Sequence, residues 1–132
     1  MTRNFNFQWD DSLVIGVDTM DQDHQKLIQL MNEVYRLFKK NAAHSDIEKS
    51  MDQLGDFVVE HFQREERYFD SLPDYEDGLI HKAIHKKLLA RYSSFLEEFK
   101  KGKEIKEDFF YFLKAWLVAH IEGVDAKYAE HP

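Results

Sequence analysis

Hydrophobic residues recur at intervals of three and four positions in four separate stretches of the chain, which is the pattern of amphipathic helices. The stretches predict helices over about 21–40, 46–71, 78–101 and 105–122. Because the connections between them are short, consecutive helices are expected to run antiparallel. The predicted fold is all-α, an antiparallel up-down-up-down four-helix bundle, with another all-α packing of the same helices as the alternative.

Signals at the ends of the stretches support these boundaries. Ser45 followed by Glu48 is the pattern of a capping box at the start of the second helix, which is expected to end before Pro73. Residues 1–18 carry spaced apolar side chains without a helical period, and we interpret them as an extended arm packed over the bundle. The fourth helix is followed by Gly123 and a short C-terminal tail.

Composition restricts the class of protein. A chain of 132 residues rich in aromatic side chains predicts a single folded domain over 1–132. The net charge of −7 argues against nucleic acid as a partner, and no apolar run is long enough to span a membrane. The start of the chain lacks the apolar stretch of a signal peptide, so a cytoplasmic location is expected.

Without cysteine, any metal must be held by histidine and carboxylate.

Ionisable side chains occupy positions on all four stripes where the helical period predicts core residues. These six positions are His24, His61, Glu65, His81, His85 and His120, and Asp125, just beyond the fourth stripe, is a seventh candidate. Burying one neutral polar group without a partner costs roughly 2–7 kcal/mol, and burying a charge costs more. A lone core histidine is usually just hydrogen-bonded, but that explanation has to be repeated on four helices. Shared binding of metal removes the penalty at all positions together.

The spacing of these residues favours a common site for most of them. His61 with Glu65, and His81 with His85, are four residues apart, which places each pair on one helix face about 6 Å apart. Asp125 follows His120 by five residues, a rotation of about 140° on a regular helix. That pair shares a face only if the helix bends or ends between them, and we expect Gly123 to permit the bend.

The number of ligands predicts two metal ions. Seven exceed the three protein ligands of a catalytic zinc site. Five imidazoles, two bridging carboxylates and a bridging oxide or hydroxide fill all but one of the positions of two octahedral ions. A nitrogen and oxygen set with a vacancy favours non-haem iron over magnesium or calcium, while zinc and manganese are competitors in vitro.

Taken in order, these motifs resemble those of the hemerythrins, specifically the single-domain bacterial kind. The matching residues are Trp9, Gly16-Val17, Asp21-Gln-Asp-His24, His61-Phe-Gln-Arg-Glu65-Glu66, His81-Lys-Ala-Ile-His85 and Trp116-Leu-Val-Ala-His120-Ile-Glu-Gly-Val-Asp125. The resemblance covers almost the whole chain. It implies two iron ions per chain that share a bridging oxo or hydroxo group and bind dioxygen reversibly.

The resemblance also implies a role for each residue. His81, His85 and His120 would bind a saturated iron, and His24 and His61 an iron with a vacancy for dioxygen. Glu65 and Asp125 would bridge the two ions. A dry pocket around the vacancy is expected to comprise Leu27, Phe62, Trp116, Leu117 and Ile121. Asp23 and Phe69 stand where relatives often carry Gln and Met, which leaves oxygen affinity and oxidation rate open.

The leading hypothesis is therefore an oxygen-binding protein for carriage, storage or sensing, and not an enzyme. One rival is a di-iron oxidase, or a peroxidase-like or nitric-oxide-reactive enzyme. Ferritin-like oxidases use Glu-x-x-His pairs, and no histidine of this chain has Glu three residues before it. The other rival is a module that senses iron or oxygen and signals to a partner. His44 and His131 are expected to be solvated.

Overall fold

The computed structural model describes residues 7–73, 75–125 and 127. The α-helices in these ranges are α1 Asp18–Lys39, α2 His44–Asp70, α3 Gly78–Lys100 and α4 Glu107–His120. A 3-10 helix at Asp11–Leu13 precedes them, and a π-helix at Ile121–Asp125 follows α4 without a break. The first six residues of the predicted arm, and most of the predicted tail with His131, lie outside the described residues. None of the helices described is long and apolar enough to cross a membrane.

Contacts at the two ends of the bundle show the direction of each helix. At one end, His24 near the start of α1 lies beside His61 toward the end of α2, with ring centroids 4.8 Å apart. At the other end, the Tyr35 ring from the last part of α1 lies 4.9 Å from that of Phe110 at the start of α4. The predicted up-down-up-down four-helix bundle is confirmed.

The apolar stripes of the helices meet in one continuous core. The contact between α2 and α3 is unusually close at Gly55, where an added Cβ would lie 3.0 Å from Cε1 of Tyr92. The Tyr92 hydroxyl donates a hydrogen bond of 2.6 Å to the carbonyl of Met51 on α2. Glycine is therefore needed at position 55 for close approach and not for its backbone conformation.

The start of α2 differs from the prediction. Ala43 is the N-cap residue, and its carbonyl accepts hydrogen bonds from the amides of Asp46 and Ile47, so Ser45 already lies within the first turn. No side chain caps this end, and the predicted capping box is wrong. His44 is exposed but not simply solvated, because its Nε2 donates to the carbonyl of Phe99 at 2.7 Å and its ring stacks on that of Phe99.

Residues 7–17 form an arm along the bundle, extended except for the 3-10 helix. Phe7 is buried, and its backbone exchanges two hydrogen bonds with the side-chain amide of Asn32 on α1. Asp21 is also buried, and its carboxylate oxygens accept hydrogen bonds from the amides of Ile15 and Gly16 at 2.9 and 3.1 Å. The arm is therefore tied to α1 at both of its ends.

Asp21→Ala is expected to release the second of these ties. Hydrogen bonds to a charged acceptor contribute about 1.5–3 kcal/mol each, and two partly buried ones are lost, so the free energy of unfolding should fall by about 3 kcal/mol, the lower end of the sum. Amide hydrogen exchange measured by NMR should accelerate at Ile15 and Gly16. Asp18→Ala, an exposed carboxylate of the same helical turn, is the control and should leave both amides protected. Unchanged protection in Asp21→Ala would contradict this role.

Candidate metal centre

The structure brings all seven predicted residues together at one end of the bundle. Their side chains come from α1 (His24), α2 (His61, Glu65), α3 (His81, His85), α4 (His120) and the π-helix (Asp125). Each residue is at most 3% exposed, although all seven are ionisable. The cluster is therefore part of the core and not a surface patch.

The ligand atoms fall into two overlapping groups, each with its atoms within 4.8 Å of one another. The four-ligand group consists of His24, His61, Glu65 and Asp125. The five-ligand group consists of Glu65, His81, His85, His120 and Asp125. The two carboxylates belong to both groups, and each imidazole belongs to one.

The carboxylates lie between the two groups. Asp125 places Oδ2 3.0 Å from Nε2 of His24 and Oδ1 3.0 Å from Nε2 of His81, so its two oxygens face different groups. Glu65 Oε1 lies 3.1 Å from Nε2 of His61 and 3.1 Å from Nε2 of His85. This is the arrangement that two bridging carboxylates need.

Several of these buried atoms are better placed to bind a metal ion than to form hydrogen bonds with each other. His24 Nε2 and Asp125 Oδ2 are 3.0 Å apart but do not form a hydrogen bond, and among the described residues both oxygens of Asp125 and both ring nitrogens of His24 lack one. With metal–nitrogen bonds of about 2.1 Å, neighbouring ligands of an octahedral ion are separated by about 3.0 Å. The cluster thus has the spacing of a coordination shell and the unsatisfied atoms that a metal would bind.

A π-helix aligns His120 with Asp125. Its hydrogen bonds join residues five apart, so positions 120 and 125 lie on the same face, as residues four apart do in an α-helix. The expected bend at Gly123 is not the cause. Gly123 does not have a positive φ, and an added Cβ would meet nothing within 4 Å.

Three of the five imidazoles make a further contact through Nδ1, the nitrogen that points away from the cluster. The partners are Asp23 Oδ2 for His61 at 2.8 Å, Glu66 Oε2 for His85 at 3.0 Å and the Tyr75 hydroxyl for His81 at 2.9 Å. Such contacts orient metal-binding histidines and select the tautomer with Nε2 free to bind.

The sequence pattern indicated these outer contacts only in part. Asp23 stood out as a departure from relatives, without an assigned partner. Glu66 is part of the second-helix motif without an assigned role, and it meets His85 because α3 packs alongside α2. Tyr75 lies between α2 and α3, outside any periodic pattern, and nothing in the sequence singles it out.

Two residues of the expected dry pocket, Phe62 and Trp116, contact histidines of the cluster. Leu27, Leu117 and Ile121 are fully buried in the main core cluster. The ring of Phe62 stacks on that of His85 of the five-ligand group, with the ring centroids 3.7 Å apart. The half-buried Trp116 meets Phe62 edge-on. The second departure from relatives, Phe69, stacks on His81 at 4.7 Å.

Charges within the cluster oppose the effect of burial on the pKa values. Burial alone would lower the pKa of His61, but the charge of Glu65 and hydrogen bonds to Asp23 and Glu65 outweigh it and raise this pKa to about 9. The pKa of His120 is likewise raised to about 9, mainly by Asp125, against the effect of burial. Burial would raise the pKa values of the two carboxyls, but the imidazoles hold both below their ordinary range.

The family model described as the Hemerythrin HHE cation binding domain matches residues 15–131. The chain belongs to the hemerythrin family. It is 32% identical to the "Hemerythrin-like protein" of Naegleria gruberi over 92% of this chain and 90% of that protein. It is 28% identical to the "Bacteriohemerythrin" of Stenotrophomonas maltophilia over 92% of this chain and 78% of that protein.

The fold agrees with that of solved hemerythrins. The crystal structure of a wild-type hemerythrin superposes with a TM-score of 0.87 at 30% identity, covering 95% of this chain and 96% of that one. Hemerythrins bind non-haem iron, and the buried histidine and carboxylate cluster of this family member is able to hold metal. Family and cluster together fit a di-iron site.

Metal binding should release protons. In the metal-free protein His61 and His120 are protonated at neutral pH because their pKa values are about 9, whereas only the neutral imidazole binds metal. The apparent affinity for Zn²⁺ should therefore increase as the pH rises toward about 9. Calorimetric titration with Zn²⁺ at neutral pH, in two buffers of different ionisation enthalpy, should show the release of these two protons. Identical heats in both buffers would contradict it.

Proposed function

We propose that this chain binds dioxygen reversibly at a non-haem di-iron centre. The observation that carries the proposal is the unequal size of the two ligand groups, five atoms against four. If an oxo or hydroxo group is shared, the larger group completes an octahedron and the smaller one leaves a single position free. Two ferrous ions held by these groups would supply, one electron each, the two electrons needed to reduce dioxygen to the peroxide level.

Each residue of the cluster has a defined part in this proposal. His81, His85 and His120 hold the saturated ion, His24 and His61 hold the ion with the free position, and Glu65 and Asp125 bridge the two. The contacts of Asp125 support this assignment, because its two oxygens face His24 and His81 separately. The shared carboxylates thereby keep both ions within one rigid frame.

Exclusion of water favours binding over turnover. The expected dry pocket of Leu27, Phe62, Trp116, Leu117 and Ile121 is apolar and mostly buried. Apolar walls keep water and protons away from a reactive centre, which slows conversion to the inert oxidised form.

Dioxygen is the proposed partner. The cytoplasm is the proposed location, since the sequence has no cysteine that would need an oxidising compartment.

A sensing role has one structural observation in its favour. The 3-10 helix of the arm, Asp11–Leu13, lies against the π-helix that carries Asp125. A change in the position of Asp125 on ligand binding would thus reach the arm directly. Carriage and storage need no such response, so movement of the arm distinguishes sensing from both.

The proposal predicts a reversible spectral change. The anaerobically reduced protein should contain two irons per chain, and its visible spectrum should gain a charge-transfer band in air that disappears when oxygen is removed. Iron analysis and absorption spectroscopy on one sample check both points. Two irons with irreversible oxidation would favour an oxidase instead, and a preparation that never holds iron would overturn the proposal.

Removing single ligands should lower the iron content. His81→Ala and Glu65→Ala are each expected to reduce bound iron below two per chain, because both residues lie in the five-ligand group and Glu65 lies in both. His44→Ala is the control and should retain full iron, since His44 contacts Phe99 at the opposite end of the bundle. Circular dichroism establishes that each variant is folded. Undiminished iron in both ligand variants would refute the assignment.

A further inference from the structure

Asp23 joins a residue of the cluster to a cation on the surface of α2. Its Oδ2 accepts a hydrogen bond of 2.8 Å from Nδ1 of His61. Arg64 donates to both oxygens of the same carboxylate, from Nε to Oδ2 at 2.8 Å and from Nη2 to Oδ1 at 3.0 Å. We name Asp23 and Arg64 the carboxylate clamp of His61.

The geometry of the clamp leaves the Asp23 carboxylate little freedom to rotate. A bidentate arginine fixes the plane of a carboxylate as well as its position. Arg64 is itself held, because its guanidinium lies over the ring of Phe57 at 5.3 Å. The clamp also spans two helices, from Asp23 on α1 to His61 and Arg64 on α2. The orientation of His61 is therefore tied to the packing of α1 on α2.

The clamp acts on only one of the two ligand groups. His61 belongs to the four-ligand group, whose other imidazole, His24, has no hydrogen bond at Nδ1 within the part of the chain that the structure describes. The five-ligand group has separate outer contacts, from Tyr75 and Glu66. The smaller group has four protein ligands and the larger group five. Misorientation of one imidazole therefore lowers the metal affinity of the smaller group more.

We propose that Asp23 and Arg64 are positioning residues that set the metal affinity of the four-ligand group, by holding His61 with Nε2 directed at the site. This inference rests on the two-metal site proposed above and adds to it that the two positions are controlled separately. Partners of this kind contribute about 10–100-fold to metal affinity. The effect should therefore appear in one binding step and not in the other.

Titration of the full-length metal-free chain with Co²⁺ under nitrogen separates the steps, since each bound Co²⁺ has its own visible absorption. The unsubstituted chain should bind two Co²⁺. Asp23→Ala should weaken the second step about 10–100-fold and shift the absorption of that ion, with the first step unchanged. Asp23→Asn keeps an acceptor for His61 and should restore part of the affinity. Arg64→Gln should cause a smaller loss than Asp23→Ala.

Asp52→Asn is the matched control. It removes an ion pair between helices, with Lys100 on α3 at 3.2 Å, but touches no residue of the cluster. Because both partners are largely exposed, it should change thermal stability little and leave both Co²⁺ steps unchanged. Equal weakening of both steps in Asp23→Ala, or an equal effect of Asp52→Asn, would overturn the clamp. If the unsubstituted chain binds fewer than two Co²⁺, the two-metal site itself fails, and this inference fails with it.

Discussion

Burial of ionisable groups is the constraint on which this structure depends. Five imidazoles and two carboxylates lie in a core that an ordinary bundle would fill with apolar side chains. Mutual contacts offset part of the desolvation, as the opposed pKa shifts show, but atoms such as both oxygens of Asp125 still have no hydrogen bond. A metal that binds these atoms would remove the remaining desolvation penalty. Metal binding and the stability of the fold are therefore coupled.

The two ends of the bundle meet different demands. The end away from the cluster is closed by aromatic contacts, such as Tyr35 with Phe110, and by His44 on the carbonyl of Phe99. The cluster end instead uses irregular backbone, the arm tied by Asp21 and the π-helix after α4. Regular helices place residues on a face, but the last ligand Asp125 and the outer contact of His81, Tyr75, lie on segments that break the α-helical period.

Periodicity explains what could be predicted from the sequence and what could not. The four stripes predicted the bundle and identified six of the seven polar residues on its inner face, because residues three and four apart share a face in any α-helix. The prediction of Asp125 was the weakest, because residues five apart share a face only in a π-helix. No residue pattern in the sequence indicated a π-helix. Tyr75 could not be identified from the sequence, because it lies between helices and belongs to no periodic pattern. The role of Glu66 could not be predicted, because its contact with His85 is set by packing between helices.

The π-helix also determines how the chain can change in length. Loops of a bundle accept insertions and deletions, since they alter only a connection on the surface. Between His120 and Asp125 the loss of one residue would return the backbone to α-helical spacing and rotate every later side chain by about 100°. A substitution at an exposed position of this turn, such as Glu122, therefore leaves the register of Asp125 intact, whereas a deletion in the turn does not.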